Sequence, residues 1–347
     1  MNLFSHTRLR KLVAALFDEL GSCTAESERV ARCLVESNLV GHDSHGVIRA
    51  PIYADYVDND MVRPNQKIEI LHQKLGMATL DGKFGFGQVI GQQAMEMGID
   101  LARQYGMASI GLRHSGHLGR IGDWPEQVAE AGLVSLHFVN TNGFGLLVAP
   151  FGGIDRRLSA NPIAVGFPRR DKPPLILDIS TSAVAEGKIK VARNQGKNVP
   201  ENCIIDSEGR PTVDPKDFYD VPQGALLPFG GHKGYGLSVI TELFAGALTA
   251  NGCTDPNNDE RLLNGMFSLI IDPDHLSHFF DWEGEVERFI EYLKSSRPSE
   301  EGGTILLPGE IEQRNREERL ADGIPLDDKT WESIVAACEN RGVKVGM

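Results

Sequence analysis

The chain has 347 residues, 41% of them hydrophobic and 24% charged, the balance of an ordinary globular protein with room for a large core and an attached smaller unit. Lysines and arginines total 35 against 48 aspartates and glutamates, and the net charge of −13 disfavours nucleic acid or an anionic membrane as main partner, because both need a positive footprint. Five cysteines (Cys23, Cys33, Cys203, Cys253 and Cys338) are scattered and never form a C-x-x-C pair, which fits reduced thiols and a cytoplasmic location better than a disulfide framework.

In chain order, the first 60 residues read as helical. Leu9, Leu12, Val13, Leu16, Phe17 and Leu20 recur at helical spacing with charges between them, so the N-terminus predicts an amphipathic helix stopped by Gly21, not a signal peptide. No apolar run approaches the ~18 residues of a membrane span. A second helix is expected over 26–39, started by Thr24 and stopped by Gly41, and a third over 48–58. Between them lies Gly41-His-Asp-Ser-His-Gly46, with Arg49 following. Two imidazoles, a carboxylate and a hydroxyl thus gather just past a helix C-terminus, where side chains can point into a cleft.

The pattern then alternates. Strands are expected at 77–80, 108–112, 133–140, 163–167, 175–179 and 266–271, and helices at 88–105, 121–131 and 233–250. From residue 282 the chain reads as helical and highly charged to its end, with a surface loop at 298–303. The fold class is α/β, an α+β mixed sheet with helices on it. The expected division is a helical domain from 1–72 plus 282–347 and a mixed-sheet domain over 73–281.

Several motifs carry chemistry. Gly85, Gly87 and Gly91 follow a strand and open a helix in a G-x-G-x-x-x-G pattern near the dinucleotide fingerprint. The third glycine is one position late and Asp100 falls inside the helix, so a tight strand-to-helix turn is the competing reading. His42/His45 and His114/His117 repeat one spacing and suggest two halves of a single site. A shared metal is one reading, but no H-E-x-x-H occurs and no thiolate lies nearby, so no metal is expected. Acid–base chemistry is the better reading, because interconverting a ketone and an alcohol needs a proton carrier in the histidine range and a fixed cation for a carboxylate. Arg49 supplies the planar fork that suits a carboxylate. Gly230-Gly-His-Lys-Gly-Tyr-Gly236 opens a helix with Lys233 beside it, either an anion site or a capped loop, and its spacing is not that of a P-loop. The basic pairs Arg156-Arg157 and Arg169-Arg170 read as solvated surface.

Taken together, these motifs resemble the malate/L-lactate dehydrogenase family that is distinct from the Rossmann-type enzymes and includes sulfolactate, ureidoglycolate and diketogulonate oxidoreductases. The match runs in order through Asp43-Ser-His-Gly-Val-Ile-Arg49, Asp81-Gly82, Gly87-Gln88, Ser115-Gly-His-Leu-Gly119, Ala149-Pro-Phe-Gly-Gly153, Asn161-Pro162, Leu177-Asp-Ile-Ser-Thr-Ser182, His232-Lys-Gly-Tyr-Gly-Leu237 and Leu307-Pro-Gly-Glu310. The Gly-His-Asp-Ser-His-Gly stretch is similar to the hydroxycarboxylate dehydrogenase branch.

The resemblance implies a non-Rossmann fold with a helical part built from both chain ends, a homodimer, and hydride transfer between NAD or NADP, with NAD favoured, and small 2-hydroxy or 2-oxo acids. It implies a catalytic group of His45, His117 and Arg49. Cofactor contacts would come from His45, from Gly119, Arg120 and Ile121, and from Ile176, Leu177, Asp178, Ile179 and Ser180. They continue through His232, Lys233 and Asn264 to Gly309, Glu310, Ile311 and Glu312. Two positions depart from the family pattern: Ala160 replaces a threonine, and His114 replaces an asparagine two residues before the Gly-His pair. The rival readings are a metal-dependent hydrolase or lyase using the paired histidines, and a non-catalytic nucleotide-sensing protein.

Overall fold

The computed structural model describes residues 2–255, 257–258 and 261–345. It opens with β1 (Asn2–Phe4), α1 (His6–Glu19), α2 (Thr24–Leu39) and α3 (Arg49–Asp58). The strand-bearing middle follows as β2 (Glu69–Lys74), β3 (Met77–Asp81), α4 (Gly87–Tyr105), β4 (Met107–Ser115), α5 (Asp123–Glu130), β5 (Val134–Asn142), β6 (Pro162–Arg169) and β7 (Lys172–Ser180). A smaller unit holds α6 (Glu186–Gln195), β8 (Ile204–Ile205), β9 (Pro211–Thr212), α7 (Pro215–Tyr219) and β10 (Ala225–Leu226). The chain returns through α8 (His232–Thr241), a π-helical stretch (Glu242–Leu248), β11 (Leu263–Ile271), α9 (Pro273–Ser277) and α10 (Trp282–Lys294). It closes with α11 (Glu310–Asp322), β12 (Ile324–Leu326) and α12 (Asp328–Glu339).

The two ends of the chain share a core. The apolar stripe of α1 (Leu9, Val13, Leu16 and Phe17) packs with Val30 and Leu34 of α2 and with Ile334 and Cys338 of α12. β1 and β12 pair antiparallel over this core, Phe4 opposite Ile324. Ser5 starts α1 by accepting the Arg8 N–H at 3.2 Å, which satisfies one of the free donors at a helix start.

Among the described residues the largest sheet has seven strands in the order β2-β3-β4-β11-β5-β6-β7. Within it β3 and β4 run parallel, and every other neighbouring pair is antiparallel. A Rossmann sheet is mostly parallel, so this is a mixed sheet of another kind. Met266 and Ile270 of β11 join Ile110 and Leu112 of β4 under Ile90, Met95, Trp124 and Val128 from α4 and α5. Strand residues alternate faces, so Phe267 points the other way, where Phe244 of the π stretch stacks between it and Phe138 at 5.1 Å from each ring.

Three differences from the sequence reading have physical causes. The single helix expected over 233–250 changes to π geometry at Glu242, where that side chain turns inward. The C-terminal region is not helical throughout: Gly323 ends α11 at φ +103, and the next residues pair with β1. β1, β2 and the small three-stranded sheet were not expected at all. β2 is exposed at every position and so has no alternation to read, and β8, β9 and β10 are two residues each. Residues 298–303 form the expected exposed loop. No helix among the described residues is long and apolar enough to cross a membrane.

Candidate active site

The turn between α2 and α3 is shaped by its neighbours. Gly41 takes φ +89, a conformation that favours glycine, and the side chain of Asn315 crowds the place where a Cβ would stand. Asn38 then ties the turn down: its Oδ1 accepts the Val47 N–H at 2.8 Å and its Nδ2 donates to Asp43 at 2.7 Å. Arg319 of α11 donates to the same Asp43 carboxylate at 2.6 Å. Asp43 is therefore a structural tie, and a short 3-10 turn (Asp43–His45) aims His45 away from it.

His117 arrives from the other direction, on the segment leaving β4. Its ring stacks against that of His45, with centroids 5.4 Å apart and planes 20° from parallel. Nδ1 of His117 lies 2.6 Å from the hydroxyl of Tyr53 on α3, and Gln88 Nε2 on α4 donates to that hydroxyl at 3.1 Å. Nδ1 of His45 meets Ser44 Oγ at 3.0 Å. Each imidazole thus has its Nδ1 engaged and its Nε2 left for a ligand.

Arg49 sits one turn beyond, its Nε donating to the Ser44 carbonyl at 2.7 Å. Both histidines are shifted strongly toward the neutral form. Burial, then repulsion from Arg49, His42 and Arg120, pushes His45 down to about 3. Burial, Arg49 and His45 hold His117 well below its ordinary value. A neutral imidazole beside a fixed cation can accept a proton from an alcohol, and an anion that pairs with Arg49 removes part of the repulsion.

The three glycines of the fingerprint-like stretch serve packing. A Cβ at Gly87 would stand 2.2 Å from the His117 carbonyl oxygen, and one at Gly91 would stand 2.5 Å from the Trp124 ring. A Cβ at Gly85 would meet Gln66 at 2.8 Å. The tight-turn reading is the one the packing matches: these glycines let the start of α4 press against the His117 segment.

A second group of expected residues gathers at β7. Asp178 accepts the Gly122 N–H at 2.7 Å, which brings the Gly119, Arg120 and Ile121 segment to the strand that carries Ile176, Leu177, Ile179 and Ser180. The Ile176 N–H donates to the Pro308 carbonyl, and at Gly309, which takes φ +92, a Cβ would stand 3.3 Å from the Ile176 nitrogen, a close approach. Glu310 is held by Lys294 and by the Leu307 N–H, Ile311 is exposed, and Glu312 pairs with His42 at 3.4 Å. Arg120 is 4% exposed and its Nη1 is buried without a hydrogen-bond partner, a free donor suited to an anionic group. His232 and Lys233 start α8 and join the end of β7 through the Phe229 N–H to the Thr181 carbonyl at 3.1 Å. They stand outside the hydrogen-bonded group around His117. Asn264 touches the backbone at Leu118, whose N–H it accepts at 2.9 Å.

The arginine pairs are structural. Arg169 grips Glu287 through both edges at 2.7 and 2.8 Å, Arg170 pairs with Glu283, Arg157 with Asp155, and Arg156 lies 4.3 Å over the Phe218 ring. Among the described residues no group of three or more His, Cys, Asp or Glu side chains is arranged to hold a metal ion. Sequence reasoning missed Tyr53 and the side-chain role of Gln88. Tyr53 was open to discovery, because it stands four residues after Arg49 and so on the same helix face.

A family model described as malate/L-lactate dehydrogenase matches residues 4–335. Hydroxycarboxylate dehydrogenase B of Escherichia coli K12 is 41% identical over 344 residues, covering 98% of this chain and 94% of the relative. An L-lactate dehydrogenase of Cupriavidus necator is 37% identical over 323 residues, covering 92% of each chain. The solved sulfolactate dehydrogenase of Methanocaldococcus jannaschii superposes with a TM-score of 0.88 at 30% identity, covering 99% of this chain and 98% of that one.

Proposed function

The chain belongs to the malate/L-lactate dehydrogenase family, and on that premise we propose that it is an NAD(P)-dependent oxidoreductase interconverting small 2-hydroxy acids and 2-oxo acids. The observation that carries this reading is the convergence of the stacked pair His45 and His117 beside one cation, Arg49, where burial first and the Arg49 charge second keep both imidazoles neutral.

Arg49 holds the substrate carboxylate with the terminal nitrogens its Ser44 contact leaves free. His117 carries the reacting proton on Nε2, since Tyr53 occupies Nδ1. His45 stacks on it and completes the wall of the site. In the oxidation direction His117 is already neutral and takes the proton from the alcohol. In reduction, the carboxylate on Arg49 offsets the charge contribution that adds to burial in depressing the imidazole, so substrate binding moves His117 toward the protonated donor. Positioning the substrate against this group can contribute about 7–11 kcal/mol of the barrier reduction.

A nicotinamide dinucleotide, when bound, supplies or takes the hydride. The unpartnered Nη1 of Arg120, the glycine cradle at Gly309, and the backbone from Ile176 to Ser180 fit such a group. Its further contacts would be Gly119, Ile121, His232, Lys233, Asn264, Ile311 and His45. The carboxylates of Asp178, Glu310 and Glu312 in that region favour NAD, which lacks the extra phosphate of NADP. The exposed apolar strip of Leu237, Ile240, Leu243 and Leu248 supports a homodimer that would cover it.

The test is a panel of 2-oxo acids assayed with NADH and with NADPH, followed at the nicotinamide absorbance. Turnover of at least one acid, faster with NADH, is expected. No turnover of any acid with either dinucleotide overturns the reading.

A further inference from the structure

Glu242 is a carboxylate with no ion-pair partner among the described residues. It is 5% exposed, at the residue where α8 becomes a π-helix, a geometry often found at functional sites. Four donors converge on its oxygens. Oε1 accepts from Asn161 Nδ2 at 2.6 Å and Thr254 Oγ1 at 2.8 Å, and Oε2 from Asn140 Nδ2 at 3.1 Å and the Thr254 N–H at 3.0 Å.

The donors lead back to the His117 segment. With its amide nitrogen turned to Glu242, Asn140 offers its oxygen to Asn251 Nδ2 at 3.3 Å. Asn251 then has its own oxygen facing the His114 N–H, which it accepts at 2.9 Å. The Asn140 carbonyl accepts from Asn264 Nδ2 at 3.0 Å, and Asn264 Oδ1 accepts the Leu118 N–H at 2.9 Å. The two backbone donors at either end of the His114–Leu118 stretch are therefore held by asparagine oxygens, Asn251 joined to the Asn140 side chain and Asn264 to the Asn140 backbone carbonyl. His114 itself stands at φ +49, an unfavourable conformation for a residue with a side chain, so it needs outside support.

An asparagine presents a donor on one side and an acceptor on the other, so a chain of them can reverse as a unit. The Asn251 branch ends at the His114 N–H, which only donates, and begins at two groups that only accept: the Glu242 carboxylate and the Gly252 carbonyl, which takes the same Asn140 Nδ2 at 3.0 Å. We propose that Glu242 is a positioning residue for His117, fixing with the Gly252 carbonyl the direction of the Asn140–Asn251 pair that holds the His114 end of the His117-bearing turn. This rests on the role given to His117 above.

Glu242→Gln keeps the shape but turns an NH2 group toward donors. In that variant kcat falls about tenfold or more, while KM for the 2-oxo acid and dinucleotide affinity by fluorescence titration stay within about threefold of the parent. In protein labelled with 15N-histidine, the ring signal that disappears in His117→Asn shifts in Glu242→Gln, while the signal of His137, held separately by Ser135 and Ser268, does not. An unchanged kcat and an unmoved His117 signal overturn the inference, as does a change in KM alone. If Glu242→Gln does not fold, Asn251→Ala decides by the same readouts, because it cuts the link to His114 alone. Full activity in His117→Asn overturns the underlying role of His117; an inactive His117→Asn beside a normal Glu242→Gln overturns only the network.

Discussion

The hydroxyl of Tyr53 lies 2.6 Å from Nδ1 of His117. Gln88 donates to the same hydroxyl at 3.1 Å, and the hydroxyl oxygen has a second lone pair to accept Nδ1–H of neutral His117 without losing the phenol hydrogen. Burial pushes the Tyr53 phenol above its ordinary value and keeps that hydrogen in place. The pair thus suits one neutral tautomer of His117, with its proton on Nδ1 and the Nε2 lone pair free to accept a proton.

Tyr53→Phe removes the selection and leaves the ring packing intact. The kcat of the variant is expected to fall by about tenfold to a hundredfold with a small change in KM, as for loss of one oriented acid–base partner. A variant with parental kcat in both directions contradicts the assignment of His117.

Arg49→Gln separates two roles of the cation. Loss of a charged hydrogen-bonding partner for the carboxylate, about 1.5–3 kcal/mol, raises KM for the acid by roughly tenfold to a hundredfold. Removing a positive charge favours the protonated imidazole, so the midpoints of His45 and His117 move upward from their depressed values. A histidine NMR titration reads this directly. Midpoints that stay where they are in the parent mean that Arg49 is not the cation that depresses them.

His137 makes a prediction about stability. It is fully buried in β5, with a serine hydroxyl at 2.8 Å from each ring nitrogen, and burial pushes it down to about 3. The unfolded chain binds a proton near pH 6.5 where the folded chain does not, so stability is complete above that value and is lost as pH falls toward 3. The slope from this residue is about 1.4 kcal/mol per pH unit. Denaturant melts between pH 7 and pH 4 should show a shallower loss in His137→Asn than in the parent. Parallel curves for the two proteins count against this account of the residue.

What the sequence made legible follows its periodicity. The α1 stripe from Leu9 to Phe17 and the alternating strands β5 and β11 are readable because each buries one face. β2 buries none, and β1 gains its place only by meeting β12 from the far end of the chain. In the site, His45, Arg49 and His117 stand out by residue type and spacing. Tyr53, Asn38 and Glu242 do not, because their importance lies in partners 64, 9 and 102 positions away, which only folding brings near.

The central claim is hydride transfer to C2 of a 2-oxo acid held by Arg49. Its most direct test uses dinucleotide carrying deuterium at nicotinamide C4, with the product 2-hydroxy acid examined by mass spectrometry. The account predicts one deuterium on C2 of the product, and about tenfold or more less of that product from Arg49→Gln at substrate levels below the parent KM. Product without deuterium at C2, or full labelled turnover by Arg49→Gln at low substrate, would contradict it.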